Sequence, residues 1–204
     1  MELGHWLSLL SICLLGAMSP GPSLAVVMKS TMALGHRQGY TTAIAHGVGV
    51  ALYGLLTVTG LAVIITRSPA VFLAIQLMGA AYLIYLGIKS LRSKTGTGVQ
   101  TDVAAANSNP ALDGFLVAFL NPKLAVFMLA LFSQFLHPGM GAVAKGIMVA
   151  TVGITDASWY CVIVALLSRR SFMARLQHSA PTIDRVFGII LIALALTVLV
   201  RTAL

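Results

Sequence analysis

Residues 41–65 contain no Asp, Glu, Lys or Arg, and several other segments of this 204-residue chain are almost as free of charge. Apolar residues make up 58% of the chain and charged residues 9%, whereas soluble domains carry about 25% charged residues. A helix of about 20 apolar residues crosses the hydrocarbon core of a bilayer, and it satisfies its own backbone hydrogen bonds there. The pattern therefore predicts an all-α, polytopic membrane protein that has the lipid bilayer as a partner.

Six apolar segments are separated by short polar stretches and one long one. The predicted spans cover about 6–28, 41–65, 70–88, 111–136, 146–168 and 182–204. Residues 93–110 are rich in Thr, Ser, Gly and Asn and are interpreted as a linker inside a single transmembrane domain. Repeat one would cover about 1–92 and repeat two about 111–204. We also expect the N-terminal segment to be kept as the first span, because no Lys or Arg precedes its apolar run.

The Lys and Arg residues, which dominate a net charge of +8, fall mainly on one side of these spans. Nine lie in the connections one–two, three–four and five–six: Lys29, Arg37, Lys89, Arg92, Lys94, Arg169, Arg170, Arg175 and Arg185. Three lie on the other side: Arg67, Lys145 and Arg201. The positive-inside rule then predicts that both termini face away from the cytoplasm. The charges form no basic face and no nucleic-acid motif, so no nucleic-acid partner is expected.

The first span of each half is interrupted by proline. The residues at the two breaks are Ser19, Pro20, Gly21, Pro22 and Ser23 in span one, and Asn121, Pro122 and Lys123 in span four. Both breaks continue as Pro-x-Leu-Ala-Val-x-Met. Proline disrupts a helix interior but suits a helix start. Matched broken helices in two three-span halves, the second inserted upside down, are typical of transporters with a midplane binding site.

The two half-helix N-termini define a candidate substrate site. They would point backbone N–H groups into the protein interior, where a carboxylate is a natural ligand. The alternative is a pair of proline kinks that only shape helix packing.

Three Asp, Glu, Lys, Arg or His residues lie inside the predicted spans more than three residues from either end. Asp156 lies near the centre of span five, where a charge costs roughly 2.5–3.5 kcal/mol. It is predicted to bind a substrate ammonium group, to carry a coupling proton or to do both; an anchor between helices is the alternative. Lys123 would meet a substrate carboxylate, pair with Asp156 or line a water-filled vestibule. His46 would relay protons or form a hydrogen bond to a neighbouring helix.

Small residues recur on one face of span two, at Ala43, Gly47, Ala51 and Gly54. Such a stripe lets membrane helices approach closely, so it is interpreted as a helix-packing face. It also makes a homodimer a candidate assembly.

Motifs for catalysis are missing from the sequence. It contains no GxSxG, HExxH or Walker loop, and no Cys, His and Glu residues at metal-ligand spacing. The sequence therefore predicts neither an enzyme nor a bound cofactor or metal.

The chain resembles the LysE/RhtB family of bacterial amino-acid exporters. Three features carry the resemblance: the motif 19–22, the stretch 79–87 that leads to Lys89 and Arg92, and the motif 121–123. Their order and a length near 200 residues extend it over essentially the whole chain. The neutral amino-acid and homoserine/threonine branch is the most similar in length and texture.

The resemblance implies a small inner-membrane protein that exports amino acids at the expense of the proton gradient. Family members often carry an acidic residue in span two, but residues 47–53 contain none here, which argues against a substrate with two positive charges. The predicted function is proton-coupled efflux of neutral amino acids such as leucine, threonine or homoserine by alternating access. Export of another small solute or of a metal cation is the alternative.

Overall fold

The computed structural model describes residues 2–19, 21–92, 109–167 and 170–203, and these residues form eight α-helices. The helices are α1 (Leu3–Met18), α2 (Pro22–Leu34), α3 (His36–Arg67), α4 (Pro69–Leu91), α5 (Pro110–Phe119), α6 (Pro122–Phe135), α7 (Ala142–Leu166) and α8 (Arg170–Ala203). This confirms the prediction of an all-α chain. Pro20 and nearly all of the predicted linker lie outside the described residues.

Four helices are each long and apolar enough to cross a membrane: α3, α4, α7 and the part of α8 from Ala174 to Thr202. The other four form two bent pairs, α1 with α2 at 58° and α5 with α6 at 55°. Counting each bent pair as one span gives up to six spans in the described residues. The first and fourth of these are broken, as the sequence predicted.

The two breaks are built differently. At the second break the side chain of Asn121 accepts hydrogen bonds from the backbone N–H groups of Lys123, at 3.0 Å, and Leu124, at 3.2 Å. Asn at the cap followed by Pro at the first helical position is a strong helix start, so α6 begins at Pro122 regardless of α5. At the first break, α2 begins at Pro22 after Gly21, and Gly21 supplies no side-chain cap.

Two predicted helix boundaries were wrong. The segment 29–40 was interpreted as a polar loop, but α2 continues to Leu34 and α3 begins at His36. A single residue, Gly35, connects them at φ 87°, a conformation that favours glycine. The segment after span five was interpreted as a basic loop ending near Pro181, yet Pro181 lies inside α8.

Helices α3 and α7 pack closely through small residues. A Cβ added to Gly47 would lie 2.6 Å from the Cβ of Ala157, and one added to Gly153 would lie 2.6 Å from the Cβ of Ala51. The stripe on span two is thus a helix-packing face, as predicted. This face packs against α7 of the same chain. It therefore gives no support for a homodimer, and the homodimer remains an untested prediction.

Helices α4 and α8 form a second close contact. A Cβ on Gly87 would lie 2.7 Å from the backbone oxygen of Gly188, and one on Gly188 would lie 2.6 Å from that of Gly87. Large apolar side chains are exposed on the outer surface, among them Ile44, Ile154 and Ile189. Such an apolar surface is what a lipid-facing exterior requires.

Candidate functional site

A cavity of about 750 Å³ lies between the two helix breaks. The predicted site residues that line it are Ser19, Gly21, Pro22, Ser23, His46, Asn121, Lys123 and Asp156. Pro122 is exposed and is absent from the lining residues that the structure describes. The volume is typical of a small-molecule site. The structure therefore brings together both breaks and the buried ionisable residues that the sequence singled out.

His46 and Asp156 form a buried pair that joins α3 to α7 at the inner end of the cavity. His46 Nδ1 lies 2.6 Å from Asp156 Oδ2, and the two side chains are 2% and 12% exposed. The hydrogen bond to a neighbouring helix, one of the alternatives for His46, is therefore present. Because both residues also line the cavity, the pair is placed to meet a solute as well as to join two helices.

Tyr160 packs beside this pair. Its ring meets the His46 imidazole edge to face, with 5.1 Å between the ring centroids, and its hydroxyl interacts with the Ser23 side chain. Tyr160 follows Asp156 by one helical turn, so the two share a face of α7. The first break is thus linked through Tyr160 to the buried pair.

The charged lining residues that keep solvent exposure are Lys89, Arg92, Lys123 and the half-buried Asp184, and we define them as the cavity mouth. Asp184 Oδ1 accepts a hydrogen bond from Ser19 Oγ at 2.8 Å. Lys123 is exposed, and its charged neighbours are Lys89 and Asp184. No ion pair joins Lys123 to Asp156 in the part of the chain that the structure describes, so the vestibule interpretation of Lys123 fits best.

Asp184 is a site residue that the sequence analysis missed. Predicting span six from about residue 182 placed Asp184 at the start of that span, next to a loop. Since α8 begins at Arg170, Asp184 instead lies well inside a helix and next to the first break. Ser90 Oγ also donates to the backbone oxygen of Asp184 at 2.6 Å, so Asp184 connects α1, α4 and α8.

The backbone at α6 differs from the expectation of free N–H groups. The Asn121 side chain accepts from the N–H groups of Lys123 and Leu124, the Ala125 N–H donates to the Asn121 backbone oxygen at 3.0 Å, and Pro122 has no N–H. The α6 N-terminus therefore offers a helix dipole and a lysine rather than free donors. The α2 N-terminus, which has no side-chain cap, is the better candidate for direct backbone contact.

Potential metal ligands are sparse. In residues 2–19, 21–92, 109–167 and 170–203, no group of three His, Cys, Asp or Glu side chains is placed to hold a metal ion. The polar groups that the cavity offers are one carboxylate–imidazole pair, hydroxyl groups and the charged residues of the mouth.

Comparison with known proteins gives the family. The model of the LysE type translocator family matches residues 14–202. The chain is 26% identical over 184 residues to the uncharacterized membrane protein YrhP of Bacillus subtilis, covering 85% of this chain and 88% of that protein. It is 30% identical over 159 residues to a leucine efflux protein of Klebsiella pneumoniae, covering 76% and 74%. No solved structure gives a significant match. The chain therefore belongs to the LysE type translocator family, whose members are multi-pass membrane transporters rather than enzymes.

Proposed function

We propose that this protein exports neutral amino acids, leucine among them, from the bacterial cytoplasm across the inner membrane in exchange for protons. The observation that carries the proposal is the buried His46–Asp156 pair at the inner end of a cavity flanked by both helix breaks. The leucine efflux protein of Klebsiella pneumoniae, at 30% identity, supports the choice of leucine. Intramembrane acids in transporters commonly mark substrate and proton pathways.

The cavity supplies a complementary group for each part of a neutral amino acid. Asp156 is the anionic partner for the ammonium group. The uncapped N-terminus of α2 suits the carboxylate, and Lys123 at the mouth adds positive charge that attracts it. Leu124, Phe127 and Phe187 provide apolar surface for the side chain.

The charge of the mouth favours neutral over cationic substrates. Lys89, Arg92 and Lys123 face one carboxylate there, that of Asp184. A second positive charge on the substrate would be repelled by this cationic mouth. The described lining residues also provide no second buried acid to bind it. Lysine and similar substrates are therefore disfavoured on electrostatic grounds.

The proposed orientation of the cavity combines its position with the charge distribution. The mouth lies at the end of α4 that carries Lys89 and Arg92, the side that the positive-inside rule makes cytoplasmic. At the other end of α4, Gln76 Nε2 donates to the backbone oxygen of Ser133 at 2.8 Å, and Gln134 Nε2 donates to that of Gln76 at 3.1 Å. In this proposal the conformation is open to the cytoplasm, and this contact between α4 and α6 closes the opposite side.

The test is efflux from cells that are loaded by feeding dipeptides containing leucine, threonine, homoserine or lysine. Cells expressing the wild-type protein should export one or more of the neutral amino acids faster than cells without it, and lysine no faster. Asp156→Asn keeps the size of the side chain but removes its charge, so it should reduce export to background. Glu2→Gln, which removes an exposed acid outside the cavity, is the matched control.

Two outcomes would contradict the proposal. Unchanged export in Asp156→Asn, with the protein confirmed in the membrane, would remove Asp156 from the mechanism. No enhancement for any of the amino acids would mean that the solute is a different one, and metal resistance without amino-acid efflux would favour a metal cation.

A further inference from the structure

His46 contains a buried polar atom that nothing in the described structure satisfies. The residue is 2% exposed, yet its Nε2 atom has no hydrogen-bond partner among the described residues. Buried polar atoms without a partner are rare and cost about 1–3 kcal/mol. The Nε2 atom itself has almost no accessible surface in this conformation, so a ligand in the cavity that His46 lines would reach it once neighbouring side chains shift.

The other nitrogen of the ring determines what Nε2 can do. Nδ1 lies 2.6 Å from Asp156 Oδ2, and an ionised carboxylate only accepts hydrogen bonds. With Asp156 ionised, Nδ1 is the donor of this hydrogen bond, and in the neutral imidazole Nε2 then has a free lone pair. In this state the pair has a net charge of −1 and Nε2 accepts one hydrogen bond. When His46 takes up a proton, Nε2 becomes a donor and the net charge of the pair falls to zero.

Several other titratable groups share the cavity with His46. Those that share the described cavity are Asp156 and Tyr160 from α7, Cys13 from α1, Lys89 and Arg92 from α4, Lys123 from α6 and Asp184 from α8. Tyr85 of α4 also lines it, whereas α2 contributes the Ser23 hydroxyl. Among the described lining residues, α5 contributes no titratable group. Asp156 is hydrogen-bonded to His46 itself, and the charged groups of the mouth are exposed or half-buried.

We propose that His46 Nε2 binds the substrate's ammonium group directly, and that a proton and this ammonium group exclude each other there. The ammonium N–H donates to the lone pair of Nε2, which a protonated imidazole no longer has. Either cation brings the pair from −1 to zero, so the site holds one or the other. One proton leaves Nε2 for water before one substrate binds, and one proton returns after the substrate is released on the far side. This inference rests on the proposed function and gives it a mechanism of exchange.

The experiment uses purified full-length protein reconstituted in liposomes, with leucine as substrate and 4-methylpentanoate, which lacks the amino group, as competitor. His46→Gln keeps a polar side chain but removes the imidazole lone pair and cannot take up a proton. We expect its leucine binding to weaken about tenfold, as for the loss of one hydrogen bond to a charged group. The dependence of leucine binding on pH should disappear, and leucine should no longer drive proton flux. Preference for leucine over 4-methylpentanoate should also fall.

The control is His137→Gln, which removes an exposed imidazole from the connection between α6 and α7. It should behave like the wild type in every assay, and size-exclusion chromatography should show that both variants are folded. If folded His46→Gln retains the pH dependence and the leucine-driven proton flux, the inference is overturned and the proposed function stands. If wild-type protein moves no amino acid, the proposed function fails and the inference fails with it.

Discussion

Gly47 of α3 and Ala157 of α7 are so close that a Cβ on Gly47 would lie 2.6 Å from the Cβ of Ala157. Each of these small residues directly follows a member of the buried pair, since His46 precedes Gly47 and Asp156 precedes Ala157. The tight contact between the two helices is therefore also what brings His46 Nδ1 to within 2.6 Å of Asp156. The packing of α3 against α7 therefore also determines the geometry of the His46–Asp156 pair.

Gly47→Leu is expected to destabilise the protein strongly. A large side chain would collide with Ala157 and with the backbone oxygen of Gly153, which lies 2.8 Å from a Cβ at this position. Overpacking of this kind costs about 1–3 kcal/mol, and backbone atoms yield less easily than side chains. The thermal stability of the detergent-solubilised variant should fall clearly below that of Gly60→Leu. Gly60 is the matched control because it lies on the same helix with nothing within 4 Å of its Cβ position. Equal stability of the two variants would contradict the contact between α3 and α7.

Lys123→Glu is expected to change the charge preference of transport. The substitution replaces one of the three cations at the mouth by an acid and so changes the local charge by two units. A charge–charge contact at 4 Å is worth about 1–4 kcal/mol between the dielectric constants of water and a protein surface. Lysine efflux from cells fed a lysine dipeptide should therefore rise above background, while leucine efflux falls. Arg67→Glu, an exposed change at the far end of α3, should leave both rates unchanged. Lysine efflux that stays at background would show that the mouth does not select charge.

Pro122→Ala is expected to impair transport without preventing insertion. Alanine is a strong helix former, so the substitution favours a continuous helix through the 55° bend between α5 and α6. Lys123 and Asn121 would then lose their places at the cavity. We expect efflux to fall by about tenfold, a change of roughly 1.4 kcal/mol in the barrier, at an unchanged amount of membrane protein. Pro138→Ala, in the connection between α6 and α7, is the control. Full efflux in Pro122→Ala would leave the break with only a packing role.

The helix breaks could be predicted from sequence because their causes are local. Asn121 and Pro122 are adjacent residues with a cap preference and a missing N–H, and these properties act without help from the rest of the chain. The stripe of small residues on α3 could also be predicted, because its helical spacing can be read from the local sequence alone. The long helices could be predicted because a lipid bilayer permits few backbone structures other than helices for an apolar segment.

The start of α8 and the partner of Asp156 could not be predicted in this way. Residues 170–180 are polar enough to be interpreted as a loop, but Leu176 packs against a cluster that contains Val27 and Tyr160. Tertiary packing of this kind overrides local preference. His46 and Asp156 are 110 residues apart in sequence, so their pairing depends on the register between α3 and α7, which hydropathy does not encode.

The contact between α4 and α6 gives a direct test of alternating access. A Cβ on Gly79 would lie 2.9 Å from Ser133 Oγ, a separation that brings cysteines at these two positions within reach of a disulfide. The mouth at Lys89 is 10 residues further along α4, roughly 15 Å away at 1.5 Å per residue. Closing this contact covalently should therefore leave the cavity accessible and still prevent opening on the opposite side.

Gly79→Cys/Ser133→Cys, made in a transport-competent background without Cys13 and Cys161, is expected to bind leucine when oxidised and to transport it at background rate. Reduction with dithiothreitol should restore transport, because the helices can then separate. Each single cysteine variant, oxidised in the same way, controls for the substitutions themselves and should transport in both conditions. Full transport by the quantitatively cross-linked protein would mean that α4 and α6 stay together throughout the cycle. The exit path would then have to open between other helices.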